Sequence, residues 1–576
     1  MRRRLNFPGL VIVTGVALYI AHSSGPIMIA NHIQTWPVIA YSIAFLAVLR
    51  TAIETLYLLA TLFDWWGSHK ATGRSGTARW GRYRDLKSEL VKGKQGPFWG
   101  IAKEGPSKPL LIDYVSNAMT VAPAGSGKGT GTVVPNILSI RASKCVPDFK
   151  GELTCICKDA LKRRGEHVVI LNPFGLWEER LGETDHFNPV DIIVHSLHRP
   201  GALRDIYDDL RELGMQLLKE PDGGKSDDTY WRDGARGIIS FCTLLEAMIE
   251  GYDATLSSVA TLIEDRQALE DNLRFVIGVD MEGKALPEGP MPIETAAWAV
   301  KHDAQEVAEF AKLFRARAGN LLSLMSGSES KTFDSFLTAA QQSLAPFAFG
   351  RLSRAMGKST FSMNVLKEGD NATTLFIIAD ASRPETSGSY LGLMQWCFLT
   401  AMKRHKDKHI PVYNILDEAT NYKIHGLLDL LTFGRGYGIR NHLIFQDFTA
   451  FERRYGRDAI ETLLSETEVK QFLPSQRSPK TLEMIAKLLG EQSFMVAGLS
   501  GGERERGLRE HMSESARNLM TIDEIRRSEH ALLFVRRKPP VMTKPITYAE
   551  IHPWRRQAGI NPFHGKAFIK KVKLRI

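Results

Sequence analysis

A glycine-rich loop with a single lysine constrains the fold of this chain more than any other feature. It lies within residues 119–138, MTVAPAGSGKGTGTVVPNIL. An apolar run leads into the loop and an apolar-patterned segment follows it, which predicts the order strand, loop, helix. Glycines let backbone N–H groups turn toward an anion, and the helix N-terminus adds the positive end of its dipole. The pattern therefore indicates a phosphate-binding loop, with a plain glycine-rich turn as the alternative.

The loop differs from the P-loop pattern G-x-x-x-x-G-K-[ST] at its glycine and hydroxyl positions. Ala122 stands where the first glycine belongs, Gly129 replaces the magnesium-binding hydroxyl, and Thr130 comes one residue late. Lys128 is expected to reach the β- and γ-phosphates of ATP. Without a hydroxyl at position 129, Mg²⁺ depends on Thr130, Asp417, water and the nucleotide. The residues predicted to bind the nucleotide are Ala124, Gly125, Ser126, Gly127, Lys128, Gly129 and Thr130.

The N-terminal part of the chain is predicted to be a membrane anchor. Apolar runs cover residues 10–30 and 36–63, with a break at Arg50, and each is long enough to cross a bilayer. Residues 23–34 contain no Lys or Arg, whereas basic residues lie before and after the pair of runs. The positive-inside rule then predicts a two-helix membrane hairpin with both termini cytoplasmic. A cleaved signal peptide is the alternative, but it leaves the second run unexplained.

The composition of the chain excludes few classes of function. The chain has 74 basic and 64 acidic residues and a net charge of +10, a mild excess that permits contact with nucleic acid or anionic lipid without requiring it. Its five cysteines are too few and too scattered for a disulfide framework or a zinc site. We expect them to be reduced residues that pack in a cytosolic domain.

Short β-rich runs alternate with helical patterns after the loop's own strand, which predicts a parallel α/β sheet. About 200 residues of helical periodicity separate the third run from the fourth, too many for a structureless loop. We therefore expect an all-α domain inserted into the sheet domain. The predicted strands are 119–121, 145–146, 168–171, 374–378, 412–416, 442–445, 469–473 and 531–535.

The predicted domain boundaries follow from this pattern. Residues 1–66 form the transmembrane hairpin, and 67–195 form a linker and the first part of the nucleotide-binding domain. The linker itself is placed at 67–108, where Gly, Lys and Arg are frequent. The all-α domain covers 196–345, the second part of the nucleotide-binding domain covers 346–550, and a basic C-terminal tail covers 551–576. Its last residues, 567–576, are expected to be frayed and solvated, with a membrane or nucleic-acid contact as the alternative.

Acidic, amide and guanidinium side chains complete the predicted site. Asp417 and Glu418 end the apolar run VYNILDE, where one acid commonly holds Mg²⁺ and the next polarises the attacking water. Gln446 ends the next apolar run and is expected to lie near the γ-phosphate, where it can report hydrolysis. Arg435 is a candidate arginine finger for a neighbouring subunit. The structural alternatives are an acidic helix cap for Asp417 and Glu418, an ordinary polar strand end for Gln446, and a solvated surface loop for Arg435.

An ordered series of motifs resembles the TraG-like coupling proteins of type IV secretion and conjugation. The motifs lie between residues 78 and 548, so the resemblance extends over most of the chain. They are ARW at 78–80, the lysine loop, DFKGE at 148–152, ILNPF at 170–174, HFNPVDII at 186–193, YWRDGAR at 230–236, KTFDSFLTAA at 331–340, ILDEATN at 415–421, GRGYGI at 434–439, IFQD at 444–447 and LLGEQ at 488–492.

The resemblance implies a RecA-like P-loop motor domain with an inserted all-α domain, which works as an inner-membrane homo-hexamer and hydrolyses ATP with Mg²⁺. It also implies that the protein receives relaxase-bound single-stranded DNA, or a protein substrate, and passes it to inner-membrane components of the secretion channel. The family has a similar Lys-Gly loop. This chain departs from the family at Tyr437, where a second arginine is common, which leaves Arg435 or Arg440 as the finger, and at Phe149, where the family has a smaller residue or proline.

Two other functions remain open at this point. One is a DNA translocase of the FtsK type, which shares the membrane anchor and the motor core. The other is a non-hydrolysing membrane receptor or scaffold for secreted effector proteins, an alternative that the departures at Ala122 and Gly129 leave open.

Overall fold

The computed structural model describes residues 76–93, 95–219, 229–500, 509–565 and 572–576, together with isolated positions between 45 and 59. Most of the predicted membrane hairpin at 1–66 lies outside these residues. Among the residues described, no helix is both long and apolar enough to cross a membrane.

The main structural element is an eleven-stranded mixed sheet with the order β2-β1-β13-β12-β9-β3-β8-β7-β4-β6-β5. From β9 to β5 neighbouring strands are parallel, and from β9 to β2 they are antiparallel. The strands are β1 (Phe98–Ala102), β2 (Pro109–Leu111), β3 (Asn117–Val121), β4 (Lys144–Asp148), β5 (His167–Leu171), β6 (Thr373–Ile378), β7 (Val412–Leu416), β8 (Ile439–Phe445), β9 (Thr467–Phe472), β12 (Ala531–Val535) and β13 (Val541–Lys544).

All eight predicted strands are present, but the sheet is not wholly parallel. β12 was expected to be parallel and instead pairs antiparallel with β9 and β13. The connection from β12 to β13 is only a short turn, and a short turn can join antiparallel neighbours only. The linker predicted at 67–108 is also wrong in its second half, because β1 lies in this sheet and Phe98 and Trp99 are buried in the core.

Helices cover the sheet and occupy the long interval between β5 and β6. The described residues of that interval contain helices and short loops, so the predicted helical insertion is present, while its domain bounds stay a prediction. The helices are α1 (Val134–Ser139), α2 (Glu152–Arg163), α3 (Glu178–Leu181), α4 (Asp191–His198), α5 (Ile206–Leu217), α6 (Thr229–Glu250), α7 (Leu256–Glu264), α8 (Arg266–Ile277), α9 (Ala304–Ser326), α10 (Ser330–Ala348), α11 (Arg351–Ala355), α12 (Pro384–Arg404), α13 (Leu427–Phe433), α14 (Phe448–Tyr455), α15 (Ala459–Glu466), α16 (Pro479–Leu489), α17 (Ile522–Arg527) and α18 (Trp554–Gln557).

Buried asparagines link the three central strands of the sheet. Asn414 on β7 donates to Asn441 on β8 at 3.2 Å, and Asn441 donates to Asn117 on β3 at 3.0 Å. Burying an amide without a partner is costly, so this ladder favours one order and one register of these strands. The same order brings the loops after β3, β8 and β7 to one edge.

The described residues of the predicted C-terminal tail (551–576) pack against the sheet domain, including Leu574 of the end at 567–576 that was expected to be solvated. Trp554 is 5 % exposed and Leu574 is 3 % exposed, and both belong to the main hydrophobic core. Two short strands, β14 (Ile551–His552) and β15 (Leu574–Arg575), pair in parallel. The apolar residues within the basic tail explain the difference, because burial of their surface outweighs solvation of the charges between them.

A second, smaller compact unit contains residues up to Arg79 and residues Ala486–Thr521. Within it, β10 (Glu491–Ser500) and β11 (Arg509–Asn518) form a long antiparallel hairpin. The predicted second half of the nucleotide-binding domain at 346–550 included these residues. In the described part of the chain these strands pair with each other, and Gln492 also forms an antiparallel bridge with Thr77 of the same unit.

Candidate nucleotide site

The lysine loop joins β3 to a helical turn at the carboxyl edge of the parallel strands. Gly125 and Gly127 have φ angles of +77° and +79°, a conformation that favours glycine. A Cβ added at Gly125 or Gly129 would meet no atom within 4 Å. The side-chain Oγ of Ser126 is buried and has no hydrogen-bond partner among the described residues. The loop therefore has open space in front of its backbone and an unpaired polar atom within it.

Lys128, Asp417 and Glu418 meet across this edge, as predicted. The Lys128 ammonium forms an ion pair with the Glu418 carboxylate and lies 3.8 Å from Oδ1 of Asp417. All three side chains are mostly buried, between 16 % and 20 % exposed. Glu418 has a φ of +53°, which is uncommon for a residue with a side chain, and its Oε2 is buried with no hydrogen-bond partner in the described part of the chain. Strained backbone of this kind is frequent at functional sites.

Burial dominates the electrostatics of the acids at this edge. It raises the pKa of Asp417 well above its ordinary range, although the Lys128 ammonium acts in the opposite direction. The nearby Glu418 and Asp148 carboxylates raise that pKa further. Lys128 is therefore the positive charge that opposes the rise in the pKa of Asp417.

Asp148 is a residue of this edge that sequence reasoning missed. It ends β4, is 2 % exposed, and accepts hydrogen bonds from the backbone N–H and the hydroxyl of Thr154, both at 2.8 Å. Burial raises its pKa as well. Its run KCVPD ends in an acid just as VYNILD does, and this shared pattern could have identified it from the sequence.

The aromatic residue at position 149 connects two loops of the site. Phe149, just after β4, packs against Tyr422 with ring centroids 5.9 Å apart. Tyr422 lies in the loop that follows Asp417 and Glu418, which we call the acidic loop (residues 417–426). The departure from the family pattern at Phe149 thus has a structural role, because the ring supports the acidic loop from the side of β4.

Gln446 occupies the place expected for it. It directly follows β8, and β8 lies between β3 and β7 in the sheet. Its side chain is half-buried at the same edge as Lys128 and Glu418. Since parallel strands end at a common edge, the order of strands alone places this amide between the two loops.

The two arginines of the GRGYGIR segment differ in their surroundings. Arg440 Nη1 donates to Asp113 Oδ2 at 2.6 Å and to the Tyr413 hydroxyl at 2.7 Å within the same chain. Arg435 is exposed in the turn before β8, at the sheet edge opposite to Lys128. The structure therefore does not bring Arg435 to the nucleotide site of its own chain, and it leaves Arg435 available to a second copy.

The residues of the site fit a nucleotide with Mg²⁺. There is open space at Gly125 and Gly129 of the loop, and the Ser126 hydroxyl is unpaired among the described residues. Lys128 and the two acids after β7 supply the charges that a triphosphate and a hard cation require. The hydroxyl of Thr130 donates to the Gly127 carbonyl at 3.2 Å, and its role as a metal ligand stays a prediction. Within the described ranges, no group of three or more His, Cys, Asp and Glu side chains is arranged to hold a metal by itself.

A sequence model of the family described as "Type IV secretory system Conjugative DNA transfer" matches residues 79–571. The chain belongs to this conjugative DNA-transfer family. The match covers both parts of the main sheet and the helices between them. It confirms the resemblance to coupling proteins that the motifs indicated, and it favours a coupling protein over a translocase of the FtsK type.

Curated members of related systems show the same similarity. The chain is 26 % identical over 492 residues to conjugal transfer protein TraG of Escherichia coli, which covers 78 % of this chain and 70 % of TraG. It is 23 % identical over 500 residues to protein VirD4 of Rhizobium radiobacter, which covers 82 % of this chain and 64 % of VirD4.

Solved structures of the plasmid coupling protein TrwB share the fold. The structure of TrwB in complex with ADP and Mg²⁺ superposes with a TM-score of 0.53 at 16 % identity, covering 82 % of this chain and 93 % of TrwB. An unbound form of the TrwB protein superposes with a TM-score of 0.52. At this identity the likeness concerns the fold, and it confirms the expected α/β architecture with a large sheet.

The five cysteines are free and buried, as expected from their spacing. Burial raises the pKa of the Cys155 thiol to about 11, so this cysteine is not a reactive thiolate at neutral pH. The cysteines therefore belong to the packing of the chain and not to its site.

Proposed function

We propose that this protein is an ATP-driven coupling protein that moves relaxase-bound single-stranded DNA toward a type IV secretion channel during conjugation. The main support is the meeting of Lys128, Asp417 and Glu418 at one edge of the sheet. These residues come from distant parts of the sequence and supply the charges that phosphoryl transfer requires. Family membership supports the transfer role.

The roles of the residues follow from their positions. ATP bound with Mg²⁺ supplies a reactive phosphoanhydride whose developing charge the metal stabilises. The N–H groups of residues 124–130 and the Lys128 ammonium would hold the phosphates. Asp417 and Thr130 would hold the Mg²⁺ ion. Glu418 leaves Lys128 to orient the attacking water and to accept its proton. Gln446, between the two loops, responds to the presence of the terminal phosphate.

Assembly and membrane attachment are part of the same proposal. Arg435 completes the nucleotide site of a neighbouring subunit, which requires a ring, and we propose the homo-hexamer of this family's motors. The apolar runs within 1–66 anchor the ring in the inner membrane as two spans, with both termini cytoplasmic. The motor then acts next to the inner-membrane components of the secretion channel.

ATP hydrolysis by the purified full chain, with and without single-stranded DNA, tests this function. We expect turnover stimulated by DNA, loss of nucleotide binding in Lys128→Ala, and loss of hydrolysis with retained binding in Glu418→Gln. Glu89→Gln is the matched control, since Glu89 pairs with Arg536 away from the site. Absence of turnover with every DNA tested would instead support the non-hydrolysing receptor.

Membrane topology has a separate test. The native cysteines are buried, so a single cysteine introduced at Ser23 or Ser88 can be labelled selectively in intact cells. We expect an impermeant maleimide to label Ser23→Cys from the periplasm and not Ser88→Cys. The opposite pattern would overturn the proposed orientation.

A further inference from the structure

Gln216 links the helical segment to the acidic loop of the nucleotide site. It lies on α5, between β5 and β6, and is 1 % exposed. Its Oε1 accepts a hydrogen bond from the backbone N–H of His425 at 3.0 Å, and its Nε2 donates to the carbonyl of Lys423 at 3.4 Å. The buried Gln216 amide therefore satisfies the hydrogen bonds of two backbone groups in the acidic loop, which begins with Asp417 and Glu418.

The close approach of α5 to the loop depends on a glycine of α12. A Cβ added at Gly392 would lie 2.6 Å from Gln216 Nε2 and 2.6 Å from the Lys423 carbonyl oxygen, distances that real contacts do not reach. Any larger residue at position 392 would therefore push α5, α12 and the loop apart. The glycine permits the Gln216 contact, and this indicates a specific arrangement of the three elements.

The other side of the acidic loop is held by the helix that follows Gln446. The Tyr455 hydroxyl on α14 is 3.1 Å from the carbonyl oxygens of both Ala419 and Tyr422, and Arg454 Nε donates to the Thr420 carbonyl at 3.0 Å. The middle of the loop is thus bonded to α14, and its end is bonded to Gln216 of the helical segment. Movement of α5 relative to the sheet acts directly on the end of this loop.

Glu418 is sensitive to such movement. Its carbonyl accepts from the Asn421 N–H at 2.8 Å, which makes a tight turn at the start of the loop, and its φ of +53° has few neighbouring allowed conformations. A displacement at Lys423–His425 would reach Glu418 through residues 419–422, together with the helix α14 to which they bond. The Glu418 carboxylate would then change its distance from Lys128.

We propose that Gln216 is a positioning residue that couples the state of the helical segment to the orientation of Glu418. This inference rests on the proposed ATPase function and adds to it a route by which movement of the helical segment changes turnover. Gln216 itself contacts no residue of the lysine loop in the described structure; it acts through the backbone of the acidic loop.

Substitution of Gln216 tests the coupling in the full chain. Gln216→Leu keeps the size of the side chain and removes both hydrogen bonds. We expect ATP turnover without DNA and the KM for ATP to stay within about twofold of wild type, while stimulation by an oligothymidylate falls about 5- to 10-fold, the range of a moderate coupling between sites. The matched control is Gln341→Leu, which removes a hydrogen bond to the Ile263 carbonyl within the helical segment without reaching the loop.

The outcomes that would overturn the inference are distinct. Unchanged stimulation in Gln216→Leu would show that the contact transmits nothing, and an equal loss of basal and stimulated turnover would show a role in stability alone. Gln216→Glu, which keeps the acceptor for His425 and loses the donor to Lys423, gives the same readout if the leucine variant does not fold.

Hydrogen exchange of residues 419–426 separates this inference from the ATPase proposal. In wild type we expect the oligothymidylate to change the protection of this peptide, and in Gln216→Leu we expect no change. This measurement needs no hydrolysis. A wild-type chain without turnover would therefore overturn the proposed ATPase function, while a loop that responds equally in both chains would overturn the role of Gln216.

Discussion

Lys128 and Glu418 form an ion pair although 290 residues separate them in the sequence. The pair forms because the loops after β3 and β7 end at one edge of the sheet, on the two sides of β8. In the proposed mechanism Glu418 is the general base, so it must leave Lys128 before it can orient water. We expect the terminal phosphate to bind between these two side chains.

Asp417→Asn is expected to raise thermal stability most at alkaline pH. Burial raises the pKa of Asp417 in the folded chain. The protonated carboxyl therefore stabilises the folded chain fully below the ordinary aspartate pKa, and this stabilisation is lost as the pH rises through the raised pKa of the folded chain. Asparagine cannot ionise and avoids this loss. We expect Tm to rise by about 2 °C or more at pH 8 and by less at pH 5, with ATP hydrolysis lost. A Tm gain that is equal at both pH values would contradict the assignment.

Arg435→Ala is expected to remove hydrolysis through a neighbouring subunit. Arg435 lies at the sheet edge opposite to Lys128, so it cannot serve its own site. We expect turnover to fall about 1000-fold, the usual effect of losing an arginine finger, with nucleotide binding retained. Mixing Arg435→Ala with Lys128→Ala chains should restore part of the activity, because some interfaces then combine an intact loop with an intact arginine. If ATP turnover does not recover in the mixture, Arg435 does not act on the nucleotide site of a neighbouring subunit.

Arg440→Ala is expected to act on stability instead. Its guanidinium bonds Asp113 and the Tyr413 hydroxyl, and the side chain is 19 % exposed. Loss of these bonds should cost about 1–2 kcal/mol, reduced from a fully buried pair because Asp113 is partly solvated. Denaturant unfolding measures this loss. Turnover per folded molecule should remain near wild type, in contrast to Arg435→Ala.

Trp554→Ala is expected to destabilise the main unit strongly. The indole is 5 % exposed and packs edge-on against Phe98, with centroids 5.5 Å apart. Truncation of a buried aromatic side chain costs about 3–5 kcal/mol. Phe563→Ala is the matched control from the same segment, since Phe563 is 52 % exposed and its loss should cost much less. Equal unfolding free energies for the two variants would support the solvated tail.

The sequence predicted the local elements of the site well, because each depends on neighbouring residues. Glycine spacing around Lys128 predicted the loop, and apolar runs ending in Asp417–Glu418 and in Gln446 predicted strands with functional residues at their ends. Prediction failed where a residue's environment comes from a distant segment. β1, β2 and β13 are short and lie next to glycine- and proline-rich turns, so local periodicity did not distinguish them from a connector.

The sequence by itself thus determined the family, the eight predicted strands and the chemical identity of the site, since motifs and periodicity are properties of contiguous residues. Only the tertiary structure decided that β12 runs antiparallel, that Arg440 is held by Asp113 while Arg435 is exposed, that the C-terminal segment packs into the core, and that Gln216 bonds the acidic loop. The physical reason is that the burial and the hydrogen-bond partners of a residue depend on which distant segments pack against it. The order of strands in the sheet determines which segments these are.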